Sequence, residues 1–198
     1  MMNKNATEFI ALVKDECKKH GIKCKLKNTS YVKLEGDIKC SGYFDETGRE
    51  LVVSMNRKDS LEILVHEYAH MTQWLENCEP WRKGLTSIIR LQSWLMGEDV
   101  LRIRYHVKNC INLELDNEKR SVNIIKKYNL PVNITKYKQK ANAYLYFYGY
   151  LIETRKWSKP SNSPYKNNVI VKAMPKRFVS NYLNAPEKII EVFRAQQV

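Results

Sequence analysis

The spacing of apolar residues changes its period along the chain. Residues 6–20 place apolar side chains at helical spacing, which predicts an amphipathic first helix. Short alternating segments follow and predict strands, and the turn sequence at residues 45–48 (DETG) predicts a hairpin between the last two. The predicted strands cover residues 22–26, 31–34, 39–44 and 50–55.

Beyond the last of these strands the period is helical again. Asp59 or Ser60 is expected to begin the next helix as N-cap, with Glu62 completing a capping box with Asp59. A polar stretch containing Pro and Ser then separates a domain, residues 1–158, from a C-terminal extension, residues 159–198, expected to pack on it. Helices are predicted at residues 61–75, 85–97, 100–110, 113–128, 135–157 and 186–198, and one more strand at residues 169–174. The pattern predicts an α+β fold with a small N-terminal antiparallel sheet and a mostly helical C-terminal part.

Two histidines lie four residues apart in the predicted helix at residues 61–75. With the glutamate after the first, His66, Glu67 and His70 form the pattern H-E-x-x-H. Positions i and i+4 lie on one side of a helix, so both imidazoles can reach one Zn²⁺ ion. Glu67 lies beside that ion, where its carboxylate can take a proton from a zinc-bound water.

A catalytic zinc site needs three protein ligands and one open position. Acidic residues of the predicted helix at 113–128 supply the candidates for the third. Glu118 falls on the apolar face of that helix, where a carboxylate without a partner would be costly, so Glu118 is the favoured ligand. Glu114 is the alternative ligand. The one of these two carboxylates that does not bind metal, or Asp116, is expected to orient a ligand histidine through a hydrogen bond. His106 is a further candidate ligand.

The chain is strongly basic. It has 34 Lys and Arg residues against 21 Asp and Glu residues, a net charge of +13. A positive field favours nucleic acid or acidic proteins as partners, but a solvated basic surface is an equally good reading because charge alone carries no sequence readout. The tyrosines at 144, 146, 148 and 150 are dense enough for a base-stacking platform, although a helix spreads them around its axis, which favours packing.

The cysteines and the hydropathy pattern indicate in which cellular compartment the protein is expected. The five cysteines are odd in number and form no C-x-x-C pair, so reduced thiols are expected. No run of eighteen apolar residues occurs, and the N-terminal region lacks the continuous apolar segment of a signal peptide. We therefore expect a cytoplasmic protein with no membrane partner.

Three segments carry a family resemblance. Residues 66–74 (HEYAHMTQW), 114–120 (ELDNEKR) and 128–131 (YNLP) resemble small metallopeptidase-like proteins encoded by bacteriophages. With H-E-x-x-H on one helix and a glutamate on a later one, the chain is similar to gluzincin-type zinc metallopeptidases. It looks more loosely like the ImmA/IrrE group, and in size and charge it resembles SprT-like proteases that act on DNA-bound proteins.

The resemblance implies a fold, a cofactor and a set of roles. It implies a minimal zincin-like core with one catalytic Zn²⁺ that cleaves a protein or peptide substrate, in the host cytoplasm if the protein is viral. On that pattern His66 and His70 would be ligands, Glu67 the general base and Glu118 the third ligand.

The sequence leaves two classes of function open. The first is a zinc metallopeptidase, in which the strand directly ahead of the motif helix, residues 50–55, would bind an extended peptide along its free edge. The second is a basic nucleic-acid-associated protein. That protein would be either a SprT-like protease on DNA-bound proteins or a non-catalytic binding protein with a zincin fold.

Overall fold

The computed structural model describes residues 3–34 and 38–198. Within these residues the chain has seven α-helices and five strands, which confirms the predicted α+β class. The strands are β1 (Lys23–Lys27), β2 (Val32–Lys33), β3 (Lys39–Cys40), β4 (Gly42–Asp45) and β5 (Glu50–Ser54). The helices are α1 (Lys4–Lys19), α2 (Ser60–Leu75), α3 (Glu79–Leu95), α4 (Ile103–Lys127), α5 (Ile134–Thr154), α6 (Asn168–Ala173) and α7 (Glu187–Ala195).

The larger sheet is mixed, whereas an antiparallel sheet was expected. Its order is β1-β5-β4, with β5 parallel to β1 and antiparallel to β4, and β2 and β3 form a separate antiparallel pair. The central position of β5 follows from its sequence, because Leu51, Val52 and Val53 are a continuous apolar run and all are fully buried. The expectation that this strand offers a free edge is therefore wrong.

The predicted hairpin between β4 and β5 is confirmed. The Asp45 carboxylate accepts a hydrogen bond of 2.9 Å from the backbone N–H of Thr47, and Arg49 takes a left-handed conformation with φ of 47°. An aspartate that bonds the backbone two residues ahead is a turn-forming device. This turn fixes the register that pairs Phe44 with Leu51.

The chain forms two compact units, the first drawn from Met1–Asn77 and Lys119–Val132. Phe9 of α1 is fully buried in this unit, with ring centroids 5.7 Å from Tyr68 and 5.3 Å from Tyr128. Helix α2 packs on β4 and β5. Its fully buried apolar residues are Leu64, Val65, Ala69 and Met71.

The second unit is drawn from Cys78–Glu118 and Asn133–Val198. In its apolar core, Tyr146, Tyr148 and Tyr150 are at most 6% exposed, which supports the packing reading of the tyrosine-rich helix. A buried hydrogen-bond network ties α5 to the segment after α6. Asn142 donates to the carbonyls of Pro175 and Arg177, and its amide oxygen accepts from the Tyr182 hydroxyl at 2.5 Å. The predicted boundary at residue 158 stays a prediction.

Three local expectations are wrong. Residues 169–173 lie in helix α6 instead of the predicted strand at 169–174, because the Asn167 side chain caps two backbone N–H groups at the start of that helix. Helices predicted at 100–110 and 113–128 are one helix, α4, whose buried stripe continues through Cys110 and Ile111. Asp59 is the N-cap residue of α2, as predicted, but the expected capping box is wrong: the Asp59 side chain makes no capping hydrogen bond, and its carboxylate is held by the Arg57 guanidinium at 2.8 and 2.9 Å.

No helix in the described part of the chain combines the length and the apolar character needed to cross a lipid bilayer.

Gly149 of α5 tests the packing of the second unit. A Cβ atom at this position would lie 2.5 Å from the carbonyl oxygen of Tyr182 and 2.9 Å from that of Leu183. Glycine to alanine in an open helix stabilises by about 1 kcal/mol, but here we expect Gly149→Ala to lower the free energy of unfolding by about 1–3 kcal/mol because backbone atoms must move. Unfolding of the variant and of the wild type in denaturant measures this difference in the free energy of unfolding.

The matched control is Asn112→Ala on the exposed side of α4, which we expect to change the free energy of unfolding by less than about 0.5 kcal/mol. A Gly149→Ala variant as stable as the wild type would contradict the close approach.

Candidate metal centre

Helix α2 presents both histidines of the motif on one side. The imidazole centroids of His66 and His70 lie 4.7 Å apart with their planes nearly perpendicular, at 89°. Both side chains are half-buried, and the adjacent Glu67 is 8% exposed. Other positions of α2 are occupied by fully buried apolar residues. Because these residues are close-packed, the helix cannot readily rotate about its axis and move the histidines.

The third member of the group comes from α4. One ligand atom each of His66, His70 and Glu114 lie within 4.8 Å of one another. Arg120, six residues further along α4, holds that helix to α2 through a 2.7 Å ion pair with Glu76 and a 3.4 Å hydrogen bond to Thr72 Oγ1.

The donor set suits a zinc ion. Two imidazole nitrogens and one carboxylate oxygen are ligands that Zn²⁺ takes in catalytic sites, which leave a fourth position open. Glu114 is only 7% exposed, unlike the exposed acidic groups that gather on surfaces without binding metal. The chemistry of His66, His70 and Glu114 therefore fits the metal that the sequence implied.

Gln73 supports the centre and was missed from the sequence. It is fully buried one turn after His70, and its Oε1 atom lies 2.9 Å from His70 Nδ1. With the proton placed on Nδ1, His70 donates to the amide oxygen and keeps the Nε2 lone pair for a metal. A buried amide at i+3 from a ligand histidine is the signal that could have identified this residue.

Burial also sets the charge state of His70. Desolvation and the neighbouring imidazole of His66 hold the pKa of His70 well below its ordinary value. His70 is therefore neutral near pH 7, and the neutral imidazole is the form that coordinates a metal.

Glu67 lies where α2 meets strand β4. A Cβ atom at Gly42 would be 2.8 Å from Ile63 Cγ2 and 3.3 Å from Glu67 Cγ, so the missing side chain makes room for both. Burial and, second, the charge of Glu67 raise the pKa of the Cys40 thiol to about 11. The carboxylate therefore lies in a largely desolvated place beside the edge of the sheet.

Two tyrosine hydroxyls on α5 belong to the surroundings of Glu114. The hydroxyls of Tyr144 and Tyr148 lie 3.1 Å apart. Burial raises the pKa of both well above the ordinary value, and the charge of Glu114 contributes to each shift. Both groups are therefore neutral hydrogen-bond donors at neutral pH, a role that the sequence did not predict for them.

Among the described residues, the other candidate ligands are not members of this three-residue group. Glu118, favoured from the sequence, is 5% exposed one turn beyond Glu114, and the three-residue group contains Glu114 in its stead. Asp116 Oδ2 lies 4.0 Å from the Cys78 thiol. His106 Nδ1 lies 3.3 Å from the Ser87 hydroxyl, and burial lowers its pKa.

Comparison with protein-family models, with curated proteins and with solved structures found no match. A protein or peptide substrate, a nucleic-acid partner and an acidic protein partner all stay predictions.

Gln73 gives a test of the geometry around His70. We expect Gln73→Ala to weaken zinc binding about 10- to 100-fold, because partners that orient a ligand histidine contribute this much to metal affinity. Gln73→Glu keeps an acceptor for the Nδ1 proton and should retain most of the affinity. Competition with a chromogenic chelator measures both.

Gln92→Ala, at an exposed position of α3, is the matched control and should bind zinc as the wild type does. Equal zinc affinities for Gln73→Ala and Gln92→Ala would show that Gln73 does not orient His70.

Proposed function

We propose that the protein is a zinc-dependent metallopeptidase that hydrolyses peptide bonds with Glu67 as general base. The observation that carries this proposal is the group formed by His66, His70 and Glu114, whose ligand atoms lie within 4.8 Å of one another. The H-E-x-x-H spacing, the buried Glu67 and the hydrogen bond that His70 donates to Gln73 support it.

Each residue of the centre has a chemical task. His66, His70 and Glu114 would hold Zn²⁺, which supplies a Lewis acid that lowers the pKa of a bound water and polarises a carbonyl. The Glu67 carboxylate accepts the proton of the attacking water and then delivers it to the leaving amine nitrogen. Its low exposure keeps bulk water from competing for that proton.

Strand β4 supplies a place for an extended substrate. Within the described residues it pairs only with β5, on one side. The backbone N–H of Ser54 donates to Ser41 at 3.0 Å, and bonding direction alternates along a strand. The N–H and C=O groups of Gly42 and Phe44 therefore face away from β5.

A peptide that added to this edge would run beside Gly42. Because Glu67 Cγ lies 3.3 Å from where a Cβ of Gly42 would be, the general base is next to that part of the edge. Backbone pairing to β4 would hold the scissile bond without depending on particular side chains. The proposed substrate is therefore an extended segment of polypeptide.

Glu67→Gln separates metal binding from chemistry. The amide keeps the size of the side chain but cannot take a proton, so we expect about one zinc per chain, as in the wild type, and peptide hydrolysis reduced about 100-fold or more. Elemental mass spectrometry gives the zinc content, and a quenched fluorescent peptide library gives the rate.

Glu62→Gln, in the first turn of the same helix, is the matched control and should keep the wild-type rate. A Glu67→Gln variant that cleaves as fast as the Glu62→Gln variant would rule out Glu67 as the base.

The third ligand is tested by a pair of variants one helical turn apart. We expect Glu114→Gln to lose zinc and Glu118→Gln to keep it, because only Glu114 belongs to the three-residue group. Both substitutions conserve volume, so circular dichroism should report intact folds. Loss of zinc from Glu118→Gln alone would restore Glu118 as the ligand, and a wild type that takes up no zinc on reconstitution would overturn the proposed centre.

A further inference from the structure

Positive charge is concentrated in the last third of the chain. Residues 133–198 contain twelve Lys and Arg residues against three Asp and Glu residues, so they carry +9 of the net charge of +13. Two of the three acids, Glu153 and Glu187, pair with the Arg194 guanidinium at 3.0 and 2.7 Å. Residues 154–186 contain seven Lys and Arg residues and no Asp or Glu. This part of the chain therefore has an excess of cations that its own carboxylates do not balance.

The segment after α6 lies against the first half of α5. Gln139 and Asn142 of α5 donate three hydrogen bonds of 2.7 to 3.0 Å to backbone carbonyl oxygens of residues 174–177. The Lys138 ammonium lies 5.8 Å from the centre of the Phe178 ring. Basic side chains of α5 and of this segment are therefore neighbours, on backbone that the amide hydrogen bonds hold in place.

Five cations of this region define what we call the basic face. Two are in the first half of α5, one is near the end of α6, and two follow α6: Lys136, Lys138, Lys172, Lys176 and Arg177. Lys138 is half-buried, and the other four side chains are exposed. None of the large apolar side chains that are exposed in the described residues falls in residues 133–142 or 172–181. The basic face is therefore charged and polar, without an apolar centre.

We propose that the basic face binds the phosphate backbone of a nucleic acid without reading its sequence. The inference goes beyond peptide hydrolysis and does not depend on it. Lys and Arg side chains that neutralise phosphates release condensed counterions, and this release supplies affinity for any sequence. Contacts to phosphate position a protein on a nucleic acid but carry no direct sequence information.

The composition of the basic face favours nucleic acid over an acidic protein. The core of a protein–protein interface is enriched in aromatic residues and depleted of Lys. Interfaces with DNA are more polar and much more positively charged, which is the composition found here. A lipid surface is disfavoured as well, because stable membrane anchoring needs a second, apolar signal besides a polybasic patch.

The start of α5 adds an electrostatic reason for an anion. Acidic side chains usually stabilise the start of a helix, because they oppose the positive end of its dipole. Helix α5 has 21 residues and no acidic residue in its first turn, which instead contains Lys136 and is followed directly by Lys138. Positive charges therefore gather at this helix end, and a bound phosphate would relieve their repulsion.

The test measures binding of the full chain to a fluorescein-labelled DNA duplex of about 20 base pairs by fluorescence anisotropy. Five phosphate contacts predict that log Kd rises with log salt concentration with a slope of about 4.5. The affinity should therefore fall about 500-fold between about 50 and 200 mM KCl. Two duplexes of unrelated sequence should bind equally well, since the proposed contacts are to phosphates.

Paired variants locate the surface. Lys176→Gln combined with Arg177→Gln removes two cations of the basic face and should lower the slope by about 2. The matched control is Lys4→Gln combined with Lys58→Gln, which removes two exposed lysines of the other compact unit and should leave the slope unchanged. Circular dichroism should show that both double variants are folded, because all four side chains are exposed.

Poly-glutamate and vesicles containing phosphatidylserine test the other two kinds of partner. Both should bind the wild-type chain more weakly than the duplex does at the same salt concentration. Binding of either one as tight as that of the duplex, equal slopes for the two double variants, or no binding of the duplex at the lowest salt concentration would overturn the proposal.

Discussion

The burial of carboxylates along two helices is the constraint on which the rest of this structure depends. Glu67 of α2 and Glu114 and Glu118 of α4 are 8%, 7% and 5% exposed. A carboxylate withdrawn from water must be compensated by hydrogen bonds, an opposite charge or a metal ion. One ligand atom each of His66, His70 and Glu114 lie within 4.8 Å of one another, so these side chains offer part of a coordination shell for a divalent cation.

Strands β4 and β5 of the larger sheet have different roles. Central β5 is apolar and buried, so it can support α2 without exposing a polar group. Strand β4 is half-buried throughout and has an outer edge, and Gly42 lets it approach α2 closely. A side chain at position 42 would push the edge of β4 away from Glu67. Because glycine has no Cβ atom, β4 can lie next to Glu67.

The sequence predicted those features that depend on local spacing. His66, Glu67 and His70 share a helix, and four residues along a helix set their geometry before any packing is considered. The hairpin at β4 and β5 followed in the same way from its turn residues. The helix α6 did not, because a run of β-branched residues favours a strand until the capping side chain of Asn167 is considered.

The third member of the centre lay outside what spacing could decide. Glu114 and Glu118 are four residues apart and both buried on α4, so their periodicity is equally good. The group whose ligand atoms lie within 4.8 Å of one another contains Glu114, which periodicity alone does not indicate. Gln73 was missed for a related reason. Its role is to accept a hydrogen bond from His70, and the spacing of apolar and polar residues does not reveal that contact.

The unbroken course of α4 has a consequence for how the chain can vary in length. Glu114 and Arg120 are six residues apart on one helix, and one inserted residue between them would rotate Glu114 by about 100° relative to Arg120. The connection at residues 96–102, between α3 and α4, lies outside that helix. Relatives should therefore keep the interval from Glu114 to Arg120 invariant while the interval from His70 to Glu114 changes. A search pattern for them should accordingly be anchored on the shorter interval.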